Sequence, residues 1–481
     1  MKNRAKQIIS ALILFLLLPC FLFPVSANSA QTYWEGRYES GLMTTDGDCP
    51  IVVEHETLTF DLHEFPNFSW SNQENVASYS GKVSAEYTFY NPSDMTVTAK
   101  MAFPMANTFQ TYPGDYTNYI ITVNGQPIET EMRHTLSYYN TDFDIDVDLP
   151  RLVDEYVEDD FFSQSLQATL YTITLGGLDE TKIKNGKTKF GIDINPKDYP
   201  NVMFYFPDNI SYNILEDGTY RIYGNARFNG QHISFYAIGQ NLRIYPEVKI
   251  YEDWHCNDNQ VMDGWGICSY AEDFTLADLI FEDYDESRGI SRMDWYNANI
   301  EILKSRRDAS NPIATISSFT TWHSYQLTTW YCYEVTLSPG ERITNKITAP
   351  IYPDVNTQYK QARYTYNYLL SPAATWADFG TLDIYINTPY YVVSSSLSGF
   401  EKTDEGYKIS LDGLPRDKNG EHEELSFTLC TEEPSFTSNI PFSQMIKDIT
   451  YFFMFYGPVI MIASAVLILL IIIFLFIKRR F

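Results

Sequence analysis

Residues 85–105 read AEYTFYNPSDMTVTAKMAFPM. Val83, Ala85, Tyr87 and Phe89 fall on one face of an extended chain, and Ser84, Glu86 and Thr88 on the other. Asn91-Pro92-Ser93-Asp94 then supplies turn chemistry, since proline fixes φ and Asn and Ser side chains bond to the nearby backbone. Alternation resumes with Val97, Ala99, Met101 and Phe103 opposite Thr96, Thr98 and Lys100. A period of two on both sides of a turn predicts a β-hairpin with one buried face.

The same grammar runs outward from this stretch. Asn124-Gly125, Asn185-Gly186, Asp217-Gly218, Asn229-Gly230 and Asn419-Gly420 each separate apolar runs. Such dipeptides supply the positive φ angles that tight hairpins need. Tyr220–Tyr245 reads as consecutive strands, and Leu382, Ile384 and Ile386 alternate with Asp383, Tyr385 and Asn387. Setting Tyr87–Pro104 over Tyr333–Pro350 aligns Tyr87 with Tyr333, Thr98 with Thr344, Lys100 with Lys346 and Pro104 with Pro350. The pattern interrupts at Ala271–Asp308. There Thr275 precedes LADLIFEDY, and Ser291 with Asp294 precedes Met293, Tyr296, Ile300 and Leu303 at helical spacing, both read as capped helices. The expected fold is mainly β: two β-sandwich-like domains with a short helical insertion.

The two ends direct the chain to a membrane. Lys2, Arg4 and Lys6, the apolar run Ile8–Leu18 and Val25-Ser26-Ala27 predict a signal peptide over 1–27. Residues 451–477 read YFFMFYGPVIMIASAVLILLIIIFLFI, long enough to span the roughly 30 Å hydrocarbon layer. Lys478, Arg479 and Arg480 mark its cytoplasmic side. The expected organisation is therefore signal peptide 1–27, an N-terminal β-region 31–255 and a cysteine loop with helical insertion 256–312. A C-terminal β-domain 313–430, a connector 431–450, a transmembrane helix 451–477 and a tail 478–481 follow. The bulk is expected outside the cell, held by a single pass in the cell membrane. Formal net charge is −27, and all 61 acidic residues lie outside the two membrane-directed ends. Such a surface repels nucleic acid and anionic lipid, and suits basic partners or divalent cations.

The run 85–105, followed by ITVNGQPIE, resembles the VIT domain, the β-domain that precedes von Willebrand A modules. The shared pattern is a strand, an Asn-centred turn, a strand ending in Phe-Pro, then an apolar strand into a polar turn, over about Ala85–Glu129. The von Willebrand metal motif Asp-x-Ser-x-Ser is incomplete at Asp285-Glu286-Ser287-Arg288-Gly289, which lacks the last serine. As a whole, the chain resembles exported, singly anchored surface proteins of Gram-positive bacteria, a likeness that implies a location more than an activity.

Catalytic motifs are missing. There is no G-x-S-x-G elbow. Gly186-Lys187-Thr188 matches the tail of a P-loop, but Thr181 stands where its first glycine belongs. Glu54-His55-Glu56 and His63-Glu64 lack the second histidine of H-E-x-x-H, with Thr59 and Asn67 in its place. Calcium is the one cofactor suggested, through the alternating carboxylates Asp142, Asp144, Asp146 and Asp148, although Leu149 replaces the glycine of an EF-hand loop. Five cysteines follow the signal peptide, and Cys256 and Cys268, with 11 residues between them, are the expected disulfide in an exported chain. Tyr138, Tyr139, Trp254, Trp265, Tyr390 and Tyr391 are candidates for stacking on sugar rings. The leading expectation is a non-catalytic surface protein with a protein partner outside or within the membrane. A carbohydrate or cell-wall binding module and an extracellular hydrolase with an unrecognised site are the alternatives.

Overall fold

The computed structural model describes residues 33–34, 39–45, 47–65, 81–107, 119–138, 145–184, 186–207, 210–252, 255–256, 258–314, 325–356, 359 and 361–433. The expected signal peptide 1–27, most of the expected connector and the apolar run 451–477 lie outside these. Among the described residues no helix is long and apolar enough to cross a membrane.

Strands are numbered along the chain. The largest sheet has the order β26 (Glu401–Lys402), β27 (Gly406–Asp412), β24 (Phe379–Asn387), β4 (Val52–Asp61), β5 (Lys82–Tyr90), β21 (Arg342–Pro350), β7 (Ile120–Val123), β8 (Gln126–Pro127). β4 and β24 pair in parallel, and the other neighbours are antiparallel. Two smaller sheets share its core. One is β3 (Met43–Thr44), β6 (Val97–Asn107), β20 (Tyr325–Leu337), β9 (Glu131–Tyr138). The other is β1 (Tyr33–Trp34), β22 (Asp354–Asn356), β23 (Arg363–Leu369), β28 (Leu425–Cys430), β25 (Tyr391–Ser395), with β2 (Glu39–Ser40) beside β23. Phe60, Phe89, Phe103, Tyr333, Tyr366 and Phe427 meet in this first sandwich.

The second sandwich faces β18 (Trp265–Thr275), β10 (Gln167–Gly176), β15 (His232–Ile238), β12 (Met203–Tyr205), β19 (Ile313–Ala314) against β13 (Ser211–Ile214), β14 (Tyr220–Asn225), β11 (Lys189–Ile194), β16 (Glu247–Tyr251), β17 (Val261–Met262). Ile173, Phe190, Ile192, Phe204, Phe235 and Ile250 fill it. Among the described residues, three α-helices lie outside the sheets: α1 (Ile145–Asp148), α2 (Leu276–Phe281) and α3 (Arg292–Asp308). Leu276, Ile280, Trp295, Tyr296 and Leu303 pack on Ala168, Tyr236 and Ile238 of the second sandwich and on Leu136 and Leu327 of the first. α2 and α3 thus form the layer between the sandwiches. Both expected caps are present. Thr275 and Asp278 make a reciprocal capping box, and the Ser291 hydroxyl accepts from the Asp294 N–H.

Three expectations need correction. First, β5 and β6 do not form a hairpin, because they lie in different sheets. The chain crosses from one sheet to the other at Asn91, whose Nδ2 donates to the carbonyls of Met95, Leu337 and Ser338. Its Oδ1 accepts from the Ser93 N–H and hydroxyl. The aligned segment 333–350 crosses in the same way, so that β5 pairs with β21 and β6 with β20. The two similar segments are exchanged halves of one sandwich rather than one from each of two domains. Alternation fixes the buried face of a strand, but not its neighbour.

Second, the boundaries at 255 and 313 do not hold. β9 and β20 are antiparallel neighbours, with Tyr138 opposite Tyr325. The second sandwich and all three helices therefore sit inside the connection of a single strand pair. Third, Trp265–Thr275, expected within a helical insertion, is a strand of the second sandwich.

Candidate protein-binding surface

Among the described residues, β18 is the edge strand of its sheet, paired there with β10 alone. Gly266 and Cys268 lie opposite Leu175 and Ile173, towards the interior. Trp265, Ile267 and Ser269 lie opposite Gly176, Thr174 and Thr172 on the other face. Trp265 is 48% and Ile267 59% exposed. A Cβ at Gly176 would come within 2.2 Å of the Trp265 ring, so glycine is what lets the indole lie across β10. Tyr270 is exposed at the sheet edge and meets Tyr171 edge-on, ring centroids 6.3 Å apart. Beyond it, the register with β10 shifts at Leu170/Tyr171, leaving Ala271 as an extra residue. From there on, Phe274 and Leu170 join the packing under the helices.

These exposed side chains belong to a wider concentration. Among the described residues, nine of the twelve exposed large apolar side chains fall between Tyr212 and Tyr270, all in the second sandwich. Val261, Trp265, Ile267 and Tyr270 lie on the consecutive strands β17 and β18, whereas Tyr212 and Ile214 lie on β13, at the opposite edge of the facing sheet. Scattered exposed apolar residues are ordinary, whereas a cluster such as that on β17 and β18 marks a surface that meets something.

Inside the first sandwich lies a different candidate. Glu56 on β4, Tyr87 on β5 and Asn345 on β21 are opposite one another across three adjacent strands, all turned inward. Glu56 is 1% exposed, and neither carboxyl oxygen has a hydrogen-bond partner. Burial pushes its pKa up to about 8, which the Tyr87 hydroxyl offsets only in part. The carboxyl is therefore a neutral acid at pH 7. The Tyr87 hydroxyl accepts from the Leu42 N–H, and Asn345 Oδ1 accepts from the Tyr333 hydroxyl. All three side chains are buried in the first sandwich, so the row reads as a core feature.

A third cluster joins the sandwiches. The Arg133 guanidinium on β9 donates to Asp294 in the first turn of α3, at 3.0 and 3.1 Å, and to Asp154 at 2.7 Å. The His134 N–H donates to the other Asp294 oxygen at 2.8 Å. Burial pushes the His134 imidazole down to about 4, so it is neutral at pH 7. These groups fasten the helical layer to the first sandwich.

The residues singled out in the sequence are dispersed. Asp142 and Asp144 lie outside the described residues. Asp146 is exposed on α1, whereas Asp148 is buried and ion-paired to Arg151 at 2.7 Å. Among the described residues no group of His, Cys, Asp and Glu is arranged to hold a metal. No disulfide joins Cys256 to Cys268. Cys268 is in the sandwich interior with Ile173 and Ile250, where burial pushes its thiol up to about 12. Cys256 adjoins Tyr251 and Arg221, which lie on the other face of the β11–β14–β16 sheet, and its carbonyl accepts from Arg221. Proximity in sequence does not bring together two residues on opposite faces of a sheet. Gly186-Lys187-Thr188 is a turn leading into β11, with no helix to cradle phosphate. Thr381 and Thr57 hold both nitrogens of His55. Of the aromatic candidates, Trp265 is the one on the exposed surface described above, whereas Tyr390 stacks on Phe65.

No protein-family model matches the chain, and no curated protein does. Among solved structures it is similar to a candidate nutrient binding protein from Legionella pneumophila subsp. pneumophila str. Philadelphia 1. The identity is 10% and the TM-score 0.32, over 83% of this chain and 72% of that one. At that level the likeness carries no argument.

Proposed function

We propose that this chain is a non-catalytic surface protein, membrane-anchored and extracellular, that binds another protein through its second sandwich. The observation that carries this reading is the cluster of exposed apolar side chains on β17 and β18: Val261, Trp265, Ile267 and Tyr270. Aromatic and aliphatic anchors of this kind supply most of the affinity in protein interfaces. The apolar run at 451–477 and the signal-like start argue for the location.

The test is site-specific photocrosslinking in native membranes. A photoreactive residue at position 265 or 267 is expected to give one discrete adduct, and the same residue at position 95 or 120 of the first sandwich none. Adducts at positions 95 and 120 with none at 265 and 267 would overturn the reading. The exposed indole of Trp265 also favours a second reading, binding of a sugar ring. Binding to a glycan array that is lost in Trp265→Ala, with no protein adduct, would select it.

A further inference from the structure

An open sheet edge presents unpaired N–H and C=O groups, and proteins usually guard it with charge, bulges or a covering segment. β18 is guarded over half its length. Ala271 is the extra residue of a bulge, and Glu272 and Asp273 follow, both exposed. The preceding half, Trp265–Tyr270, carries no charged side chain and no bulge, and among the described residues no strand lies beyond it. The outer side chains here, Trp265 and Ile267, are the apolar ones that a second strand would cover.

The flanks say what kind of strand fits. Asp263 precedes this half and Glu272 follows it, both exposed. A second copy of the chain is a poor occupant. Antiparallel self-pairing centred between Ile267 and Cys268 would bring Asp263 of one copy opposite Glu272 of the other. Like charges placed opposite each other in a sheet are destabilising. The whole chain also carries a formal charge of −27, which opposes self-association.

We propose that the edge of β18 from Trp265 to Tyr270 accepts an extended segment of another protein as an added strand. That segment sets apolar residues against Trp265 and Ile267 and basic residues against Asp263 and Glu272. This rests on the reading that the second sandwich binds protein, and specifies how. Main-chain hydrogen bonds along the edge supply affinity, and alternate side chains supply selectivity.

The experiment uses the full-length protein in detergent and a labelled ten-residue peptide that alternates valine and threonine between pairs of lysines. Saturable binding by fluorescence anisotropy is expected. A peptide with proline at alternate positions, lacking those N–H donors, is expected not to bind. Ile267→Lys places a charge on the open edge and should weaken the lysine-flanked peptide by roughly tenfold or more. The double change Asp263→Lys with Glu272→Lys should lose that peptide and gain one flanked by glutamates. Circular dichroism melts identify any variant that fails to fold, and the proline comparison on the unaltered chain does not depend on variants. Equal binding of the proline peptide, or of both charge forms, would overturn strand addition. Absent peptide binding with persistent adducts at 265 and 267 would overturn strand addition while leaving protein binding in place. Loss of both would overturn both.

Discussion

The two sandwiches are built from the same kinds of residue, yet they treat water differently. The first turns its large side chains inward from three sheets and leaves Met95 and Ile120 as its exposed large apolar residues among those described. It even buries a carboxyl, Glu56, at its centre. The second buries a smaller core and leaves aromatic and aliphatic side chains along its edges. Its own buried charge, Arg221, is matched by a two-pronged contact with Asp193 at 2.7 Å. Among the described residues, the first sandwich hides nearly all of its large apolar side chains, whereas the second leaves several in water. The helical layer keeps them in register, and each prediction below strains that division.

The largest effect is expected at the joint. Asp294→Ala would leave Arg133 buried beside Asp154 alone, and breaking a buried pair costs about 3–5 kcal/mol. Urea unfolding should then show two separated transitions where the native chain shows one. A single unshifted transition would mean that the sandwiches do not depend on this contact.

Glu56→Gln removes the carboxyl while keeping its shape. A carboxyl whose folded pKa is raised to about 8 favours the folded state fully only below its unfolded value. That contribution is lost, at about 1.4 kcal/mol per pH unit, as pH rises towards the folded value. The melting temperature of the variant relative to the native chain should therefore climb from pH 5 to pH 8 and level off above. A constant difference would show that Glu56 does not titrate inside the first sandwich.

Ser291→Ala removes the hydroxyl that caps α3 and should cost about 1 kcal/mol. It strains the joint without touching either sheet, so denaturant melts should shift while strand content by circular dichroism stays unchanged. Ile267→Ser should have the smallest effect on stability, within about 0.5 kcal/mol, because the side chain is exposed. If photocrosslinking from position 265 also persists unchanged in that variant, the second sandwich does not use this edge.

Much of the local structure was legible. The Asn124-Gly125 turn has φ of 49° and 74°, as its sequence demands, and Thr275 and Ser291 cap the helices they precede. Residues 83–89 and 97–103 bury the faces that their alternation predicts. The pairing was not legible, because Tyr87 and Phe89 would be equally well buried against β6 or β21. Nor were the surfaces. Ile267 is apolar, yet it falls on the outer face of the sheet, opposite Thr174, where its alternation alone does not reveal whether anything packs over it. Cys256 and Cys268 misled for the same reason, since their faces depend on strands formed far away in the chain. The row joins Glu56 and Tyr87 to Asn345, more than two hundred positions further along the chain, and leaves no local signature.

The insertion between β9 and β20 also orders events in time. The second sandwich draws its strands from one continuous stretch, Gln167–Ala314, and can complete itself once that stretch is available. The first cannot, because β4 waits for β24 and β5 waits for β21. Pairings that span such distances close slowly, since the loop entropy must be met before the contacts form. While the chain is being made, the strands before residue 138 stand with unfilled neighbours for the whole interval in which the inserted unit is built and packed. The segment that later becomes the enclosed core of the first sandwich is thus its most exposed part at birth, and the one most in need of protection from mispairing with other chains.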